Sequence, residues 1–465
     1  MSAVKNDFSQ GAVWRVIMRM AVPLMLAQLV NVLYSVVDRM YIGHIPGVGS
    51  LALTGLGLTM PIVSIVTAFA SLCGTGGGPL CSIARGRGDN KEAEAIMGNS
   101  LCLLLIFGVA LTALLQIFSK PILFAFGASA DTYPYAEEYL RIYLWGTVFA
   151  MLSLGMNHFI NAQGFSKVGM FTVIVGAVVN IILDPIFIFL FDWGIAGAAI
   201  ATVIAQFISA AWAMGFLLSR KAILKLKWQD MILRAKLVGR ILSLGITGFV
   251  MSITNALVQT ACNTQLQKFG GDSYVGAMTV INSVREMTFM VAYGITAGSQ
   301  PVLGFNYGAK KYSRVKQGIR FVSVSAVLYA LAVWLVVMLI PGTLTRIFNS
   351  EPELVAICSR GLRIYFCGFF LMALQLAGQS VFVGLGKSRQ AVFFSLLRKA
   401  SIVTPLVFLL PLIPAIGVDG VFWAEPISDL LGGGSCFLTM YFTVYKRLPE
   451  EGQYICLDKS AKARL

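Results

Sequence analysis

Asn180 and Asp184 stand one helical turn apart, with Pro185 directly after them, in a run from 168 to 191 whose only ionisable side chain is Asp184. Residues four apart share a helix face, so the amide and the carboxyl group point the same way. A carboxylate inside an apolar span is costly unless it faces a cavity and meets a partner. Pro185 lacks an N–H, which frees a carbonyl one turn back for water or a ligand. An acid, an amide and a loosened backbone at one place suit a cation or proton site. The plainer alternative is a buried acid hydrogen-bonded for packing.

The elements that carry these groups are membrane spans. The 465 residues are 57% hydrophobic and 12% charged, with mean hydropathy +0.79, against roughly a quarter charged in soluble domains. Uncharged runs long enough to cross a bilayer occupy 20–37, 45–84, 95–119, 142–166, 193–219, 241–267, 321–345 and 364–386. Runs broken only by isolated charges occupy 168–191, 273–307, 390–418 and 420–445. Twelve transmembrane helices are therefore expected, in an all-α membrane protein.

The net charge of +15 could suggest nucleic acid, but 26 of the 36 Lys and Arg fall on one side of the expected spans. That is the positive-inside bias, and it places both termini in the cytoplasm. The first apolar run is long enough to span and lacks the small-residue site of a cleaved leader. The eight cysteines are scattered without a Cys-x-x-Cys pair and read as small buried side chains. His44 and His158 are too isolated for a metal site.

The chain repeats itself. Leu140-Arg141-Ile142-Tyr143 recurs as Leu362-Arg363-Ile364-Tyr365, 222 positions on, and Gly164–Lys167 meets Gly386–Arg389 at the same offset. Asp184-Pro185 aligns with Thr404-Pro405, and Asn31 with Asn255. Such matches in order indicate duplication. Six helices per half give both halves one orientation, with substrate expected between them. The expected organisation is a six-helix bundle over 1–218, a basic cytoplasmic linker over 219–236, a second bundle over 237–447 and a tail over 448–465. The linker is expected on the anionic leaflet, part of it as an amphipathic helix.

Counting about 1.5 Å per residue from the span ends puts Asp38, Asn180, Asp184 and Thr202 at one level in the outer half of the bilayer. Two acids, an amide and a hydroxyl suit a hard cation with oxygen ligands, or a shared proton. The second half carries Arg285 and Glu286, Arg398 and Lys399, and Glu425 and Asp429 inside its spans. Three acids against three bases suggest a neutral network that ties helices together. The functional alternative leaves Glu286 or Asp429 partly unpaired, to attract a cationic substrate. Glu286, Asp429, Glu425, Asn157 and Gln259 are the substrate-cleft candidates, and Arg285, Arg398 and Lys399 the charge network. Gly74-Thr75-Gly76-Gly77-Gly78-Pro79 lacks the lysine and flanking elements of a phosphate loop and reads as close packing.

The run from Asn161 to Lys167, the run from Gly176 to Ile188 and the run from Gly194 to Thr202 strongly resemble the multidrug and toxic compound extrusion (MATE) transporters. Val37–His44 resembles that family's first-helix signature. The resemblance covers both halves and is closest to the prokaryotic DinF/MepA-like branch. It implies that Asp38, Asn180, Asp184 and Thr202, with the Ala198 carbonyl, bind the coupling H+ or Na+. The NorM branch relies on an acid in the seventh helix, where this chain has Asn255 and Gln259.

The resulting expectation is a secondary antiporter in the cytoplasmic membrane of a prokaryote. It would export small amphipathic, often cationic, drugs in exchange for H+ or Na+ by alternating access. It would act as a monomer among membrane lipids, with no nucleic-acid partner and no cofactor beyond the coupling ion. The rival is a lipid-linked oligosaccharide flippase of the wider superfamily, which would need a markedly basic cavity. No His-Glu-x-x-His or Gly-x-Ser-x-Gly constellation marks an enzyme.

Overall fold

Inside hydrocarbon every backbone N–H and C=O must be satisfied by the chain itself, so apolar runs of this length become helices. The computed structural model describes residues 7–126, 128–346, 348 and 352–449. Twelve spans follow in order: α1 (Val13–Gly43), α2 (Gly49–Gly86), α3 (Asn90–Ala125), α4 (Tyr133–Trp145 with Thr147–Ala162), α5 (Ser166–Leu190) and α6 (Gly194–Leu218). The second set is α7 (Ala235–Gly271), α8 (272–308), α9 (Tyr312–Leu339), α10 (Pro352–Phe366 with Phe369–Gly384), α11 (Ser388–Leu412) and α12 (420–445). Eight are long and apolar enough alone, and α4 and α10 qualify as bent pairs. α8 carries Arg285 and Glu286, and α12 carries Glu425 and Asp429. Between α7 and α8 the helix is interrupted only at Gly271, whose φ of 71° favours glycine.

The duplication is visible in the bends. The α4 axis turns by 56° and the α10 axis by 47°, each just after its Leu-Arg-Ile-Tyr copy. Burial matches position by position: Leu140 and Leu362, Tyr143 and Tyr365 are buried, while Arg141 and Arg363 are exposed.

The contacts divide the chain into two units. One holds 23–81 and 89–253; the other holds the described residues up to Val22, Ser82–Gly88, and those from Thr254 on. The units thus cut across the expected sequence halves, and local interactions explain the cuts. In α1 the division falls at Pro23. Ahead of α1, the Arg314 guanidinium donates to the carbonyls of Phe8 (3.1 Å), Gln10 (3.2 Å) and Gly11 (2.8 Å). A Cβ on Gly245 would stand 1.7 Å from the Leu72 carbonyl oxygen, and one on Gly76 would stand 2.1 Å from that of Ile241. The start of α7 is therefore pressed on α2, and the 74–79 glycines are a close-packing surface inside a helix, as their lack of phosphate-loop features implied.

The linker differs from expectation. Instead of an amphipathic helix it is an irregular strap with one short turn at Trp228–Met231, held by side chains of α3 and by Gln163, which caps α4. Gln163 Oε1 accepts from the backbone N–H of Ile223 and Leu224, both at 2.9 Å. Glu94 accepts from the Lys225 N–H at 2.9 Å and from Lys227 Nζ at 2.8 Å. Asn99 donates to the carbonyls of Asp230 and Ile232 and accepts from the Arg234 N–H. Backbone groups committed to these receptors are not free to close helical turns. Residues 450–465 of the expected tail lie outside the described residues.

Candidate functional site

Pro185 breaks the helical ladder of α5, and the helix continues as a π-helical turn, Ile186–Leu190. Such turns re-aim side chains and recur at functional sites. Gly197 of α6 fits directly against the Phe187 carbonyl, which a Cβ would approach to 2.7 Å. About three to four turns deeper, Ser209 Oγ donates to the Thr172 carbonyl at 3.0 Å. These contacts bring α5 and α6 close, with Asn180, Asp184 and Thr202 in their seam. Asn180 Nδ2 donates to Asp184 Oδ1 at 3.1 Å and approaches Thr202 Oγ1 at 3.4 Å.

Asp38 reaches this seam from α1. Its carboxyl group and that of Asp184 face each other at hydrogen-bonding range. All four side chains are withdrawn from the surface, with exposures of 7% for Asp38, 1% for Asn180, 0% for Asp184 and 4% for Thr202. Three buried oxygens there have no hydrogen-bond donor: Asp38 Oδ1, Asn180 Oδ1 and Asp184 Oδ2. Two carboxylates in contact cannot both remain charged at low cost, so such a pair takes up a proton or a cation. The hard oxygen set suits either.

Asp38, Asn180 and Thr202 line a cavity of about 350 Å³, and Asp184 lies behind them. Asn157 also lines it, with its Nδ2 donating to the Gly169 carbonyl at 3.2 Å and its Oδ1 unpartnered. Sequence reasoning missed Tyr34, Tyr139, Tyr143 and Gln206, which share the wall. Tyr139 is set against Thr202 and Tyr143 against Gln206. The repeated Leu-Arg-Ile-Tyr motif was the available signal for Tyr143. Ala198 is fully buried in the apolar cluster with Ile188, Tyr139 and Tyr143 and does not line the cavity.

The other unit resolves the second-half charges. Arg398 and Lys399 leave a π-helical turn of α11, and Asp429 begins one in α12. Lys399 Nζ lies 3.0 Å from Glu425 Oε1, Arg398 pairs with the same oxygen, and the Arg398 guanidinium lies 2.9 Å from Asp429 Oδ1. Arg398 Nε also donates to Ser428 Oγ at 3.2 Å. Arg285 is set against the Tyr365 hydroxyl. Glu286 is exposed and stands outside this network, so the pairing expected of three acids and three bases involves only two of the acids. Gln259 donates to Asn263 Oδ1 at 3.1 Å and borders a small crevice with Arg285, Lys399 and Glu425. The seven described cysteines are free, and no cluster of three or more His, Cys, Asp or Glu forms among the described residues.

The MatE family model matches residues 23–186 and 248–409. The multidrug export protein MepA of Staphylococcus haemolyticus (strain JCSC1435) is 24% identical over 440 residues, covering 94% of each chain. A multidrug resistance MATE family transporter of the MOP superfamily, solved in an outward-facing conformation, superposes with a TM-score of 0.89 at 20% identity, covering 96% of this chain and 99% of that one. A MATE crystal structure in complex with MaL6 gives the same TM-score at 21% identity and the same coverage.

Proposed function

Since this chain belongs to the MATE family, whose members are membrane transporters and not enzymes, we propose that it is an antiporter exporting small amphipathic cations and drugs in exchange for H+ or Na+. The relatives named as multidrug exporters across 94% of the chain support the substrate class. The observation that carries the coupling site is the meeting of Asp38 from α1 with Asp184 from α5, beside three buried oxygens that lack donors.

On this reading Asp38 and Asp184 hold the coupling ion, Asn180 and Thr202 complete its oxygen shell, and the adjoining cavity lets it enter. Ala198 supports the shell through packing. An ion moving inward gains about 2.3 kcal/mol per charge per 100 mV of inside-negative potential. That drive can be spent on outward movement of substrate if the ion and the substrate favour different conformations of the protein. Asp38 belongs to α1, whose outer part lines the cavity through Asn31, Tyr34 and Ser35 as well, so neutralising the pair would change the packing of that helix. The exporter would sit in a bacterial cytoplasmic membrane with both termini inside and act as a monomer among lipids. The wall of tyrosines, with apolar Met60, Val63 and Leu154, suits flat amphipathic molecules.

The test is ethidium efflux from proteoliposomes under a proton gradient and, separately, a sodium gradient. Acceleration by either gradient supports antiport and identifies the ion. Efflux indifferent to both would overturn it.

A further inference from the structure

The apolar span α9 ends at Leu339, the short helix Pro341–Arg346 follows it, and α10 starts at Pro352. This is the membrane boundary opposite Lys310 and Lys311, which lead into α9. Basic side chains are scarce on this face, because 26 of the 36 Lys and Arg lie on the other. Yet Arg346, Arg360 and Arg363 meet here around one cavity of about 690 Å³. One wall is a face of α10, where Ala356, Ser359, Arg360 and Arg363 recur at helical spacing. The other wall runs from Leu339 to Thr343 and on to Arg346. A Cβ on Gly342 would stand 3.7 Å from Ser359 Oγ, so the two walls come into contact there.

None of the described residues that line the cavity is acidic. Arg360 pairs with Asp419, which lies outside the lining, while Arg346 and Arg363 are exposed. Like charges that share a cavity repel, and an anion placed among them is attracted by all three. The forked guanidinium matches phosphate oxygens in pairs. The apolar part of the lining points to the source of that phosphate. Leu339 and Ile340 are 69% and 46% exposed and continue the exposed apolar side of α9 at Leu335 and Val336. We infer that the cavity holds the headgroup phosphate of an anionic phospholipid, taken from the leaflet away from Lys310 and Lys311, with the acyl chains lying along α9. A free phosphate would use the arginines and leave the apolar surface bare. A zwitterionic lipid would bring its own cation against the guanidinium groups. The cavity is the size of a small-molecule pocket and admits a glycerol-sized headgroup. The inference needs only that the chain spans a membrane, and is independent of what the protein exports.

The test is photolabelling of the purified full-length protein in phosphatidylcholine nanodiscs. Each sample carries a trace of phosphatidylglycerol or phosphatidylcholine with a diazirine on the acyl chain, and adducts are mapped by mass spectrometry. At about fivefold for each of Arg346 and Arg363, adducts of the glycerol lipid on Leu339, Ile340 and Ala356 should exceed those of the choline lipid by about 25-fold. Arg346→Gln with Arg363→Gln should remove that excess and leave the adducts around Lys310 and Lys311 unchanged, which controls for folding. Should the double variant fail to fold, Arg346→Gln alone is expected to lower the excess about fivefold, and no change there counts against the site. Equal labelling by the two lipids at the cavity, or an excess that survives the double substitution, would overturn the inference. Unlabelled phosphatidylglycerol should compete for the site. Competition by millimolar inorganic phosphate or glycerophosphoglycerol instead would mean that a soluble anion fills the cavity, and would sink the lipid assignment.

Discussion

Replacing Asp184 by asparagine changes one charge and almost no volume. Asp184 is fully buried, its Oδ1 accepts from Asn180 at 3.1 Å, its Oδ2 has no donor, and its carboxyl group meets that of Asp38. An asparagine oxygen can keep the bond to Asn180, so the helix seam should survive. What disappears is the second carboxylate available to the ion. A hydrogen bond to a charged group contributes about 1.5–3 kcal/mol, and tenfold corresponds to about 1.4 kcal/mol. The ion should therefore bind about 10- to 100-fold more weakly. In proteoliposomes, gradient-driven ethidium efflux by Asp184→Asn should fall accordingly, and downhill exchange without a gradient should fall less. Thermal unfolding in detergent controls for misfolding: removing one of two facing carboxylates relieves repulsion, so Tm should hold or rise. Asp38→Asn should reproduce the defect, and the double variant should be little worse than either single one, because the two groups act on one ion. Wild-type gradient dependence in Asp184→Asn, or losses that simply add in the double variant, would refute the reasoning.

Arg398→Met leaves Asp429 without its base and Glu425 with only Lys399, and should destabilise the protein by about 3–5 kcal/mol, read as a lowered Tm in detergent. Asn99→Ala removes two donated bonds and one accepted bond from the linker. At about 1 kcal/mol each the cost is about 3 kcal/mol, and tryptic cleavage between Lys221 and Lys236 should speed up before global unfolding does. Gly245→Ala forces a methyl group into the Leu72 carbonyl and should abolish folded yield, seen as loss of the monodisperse peak in size-exclusion chromatography. Glu286→Gln should leave Tm unchanged, since the side chain lies outside the ion-pair network, and should slow efflux of cationic dyes more than of neutral ones. Equal slowing would remove Glu286 from substrate attraction.

Much of this protein is local information and can be read along the chain. Scarce charges mark the spans, the Leu-Arg-Ile-Tyr copies mark the duplication, and a lone acid followed by proline in an apolar run marks Asp184, because burying a carboxylate in hydrocarbon is too costly to be incidental. Depth counted along the spans added the partners Asp38 and Thr202, and the resemblance to MATE transporters implied that they bind the coupling ion. Tertiary structure decided what depends on how each helix is rotated about its axis. The sequence places six charges inside the second-half spans, yet a rotation of about 100° between Arg285 and Glu286 put one beside the network and the other outside it. The linker carried a basic, partly apolar composition suited to an interfacial helix, but its conformation was settled by Glu94, Asn99 and Gln163, residues 60 to 135 positions away. Composition reports which groups must avoid lipid. Only packing determines which of them find one another.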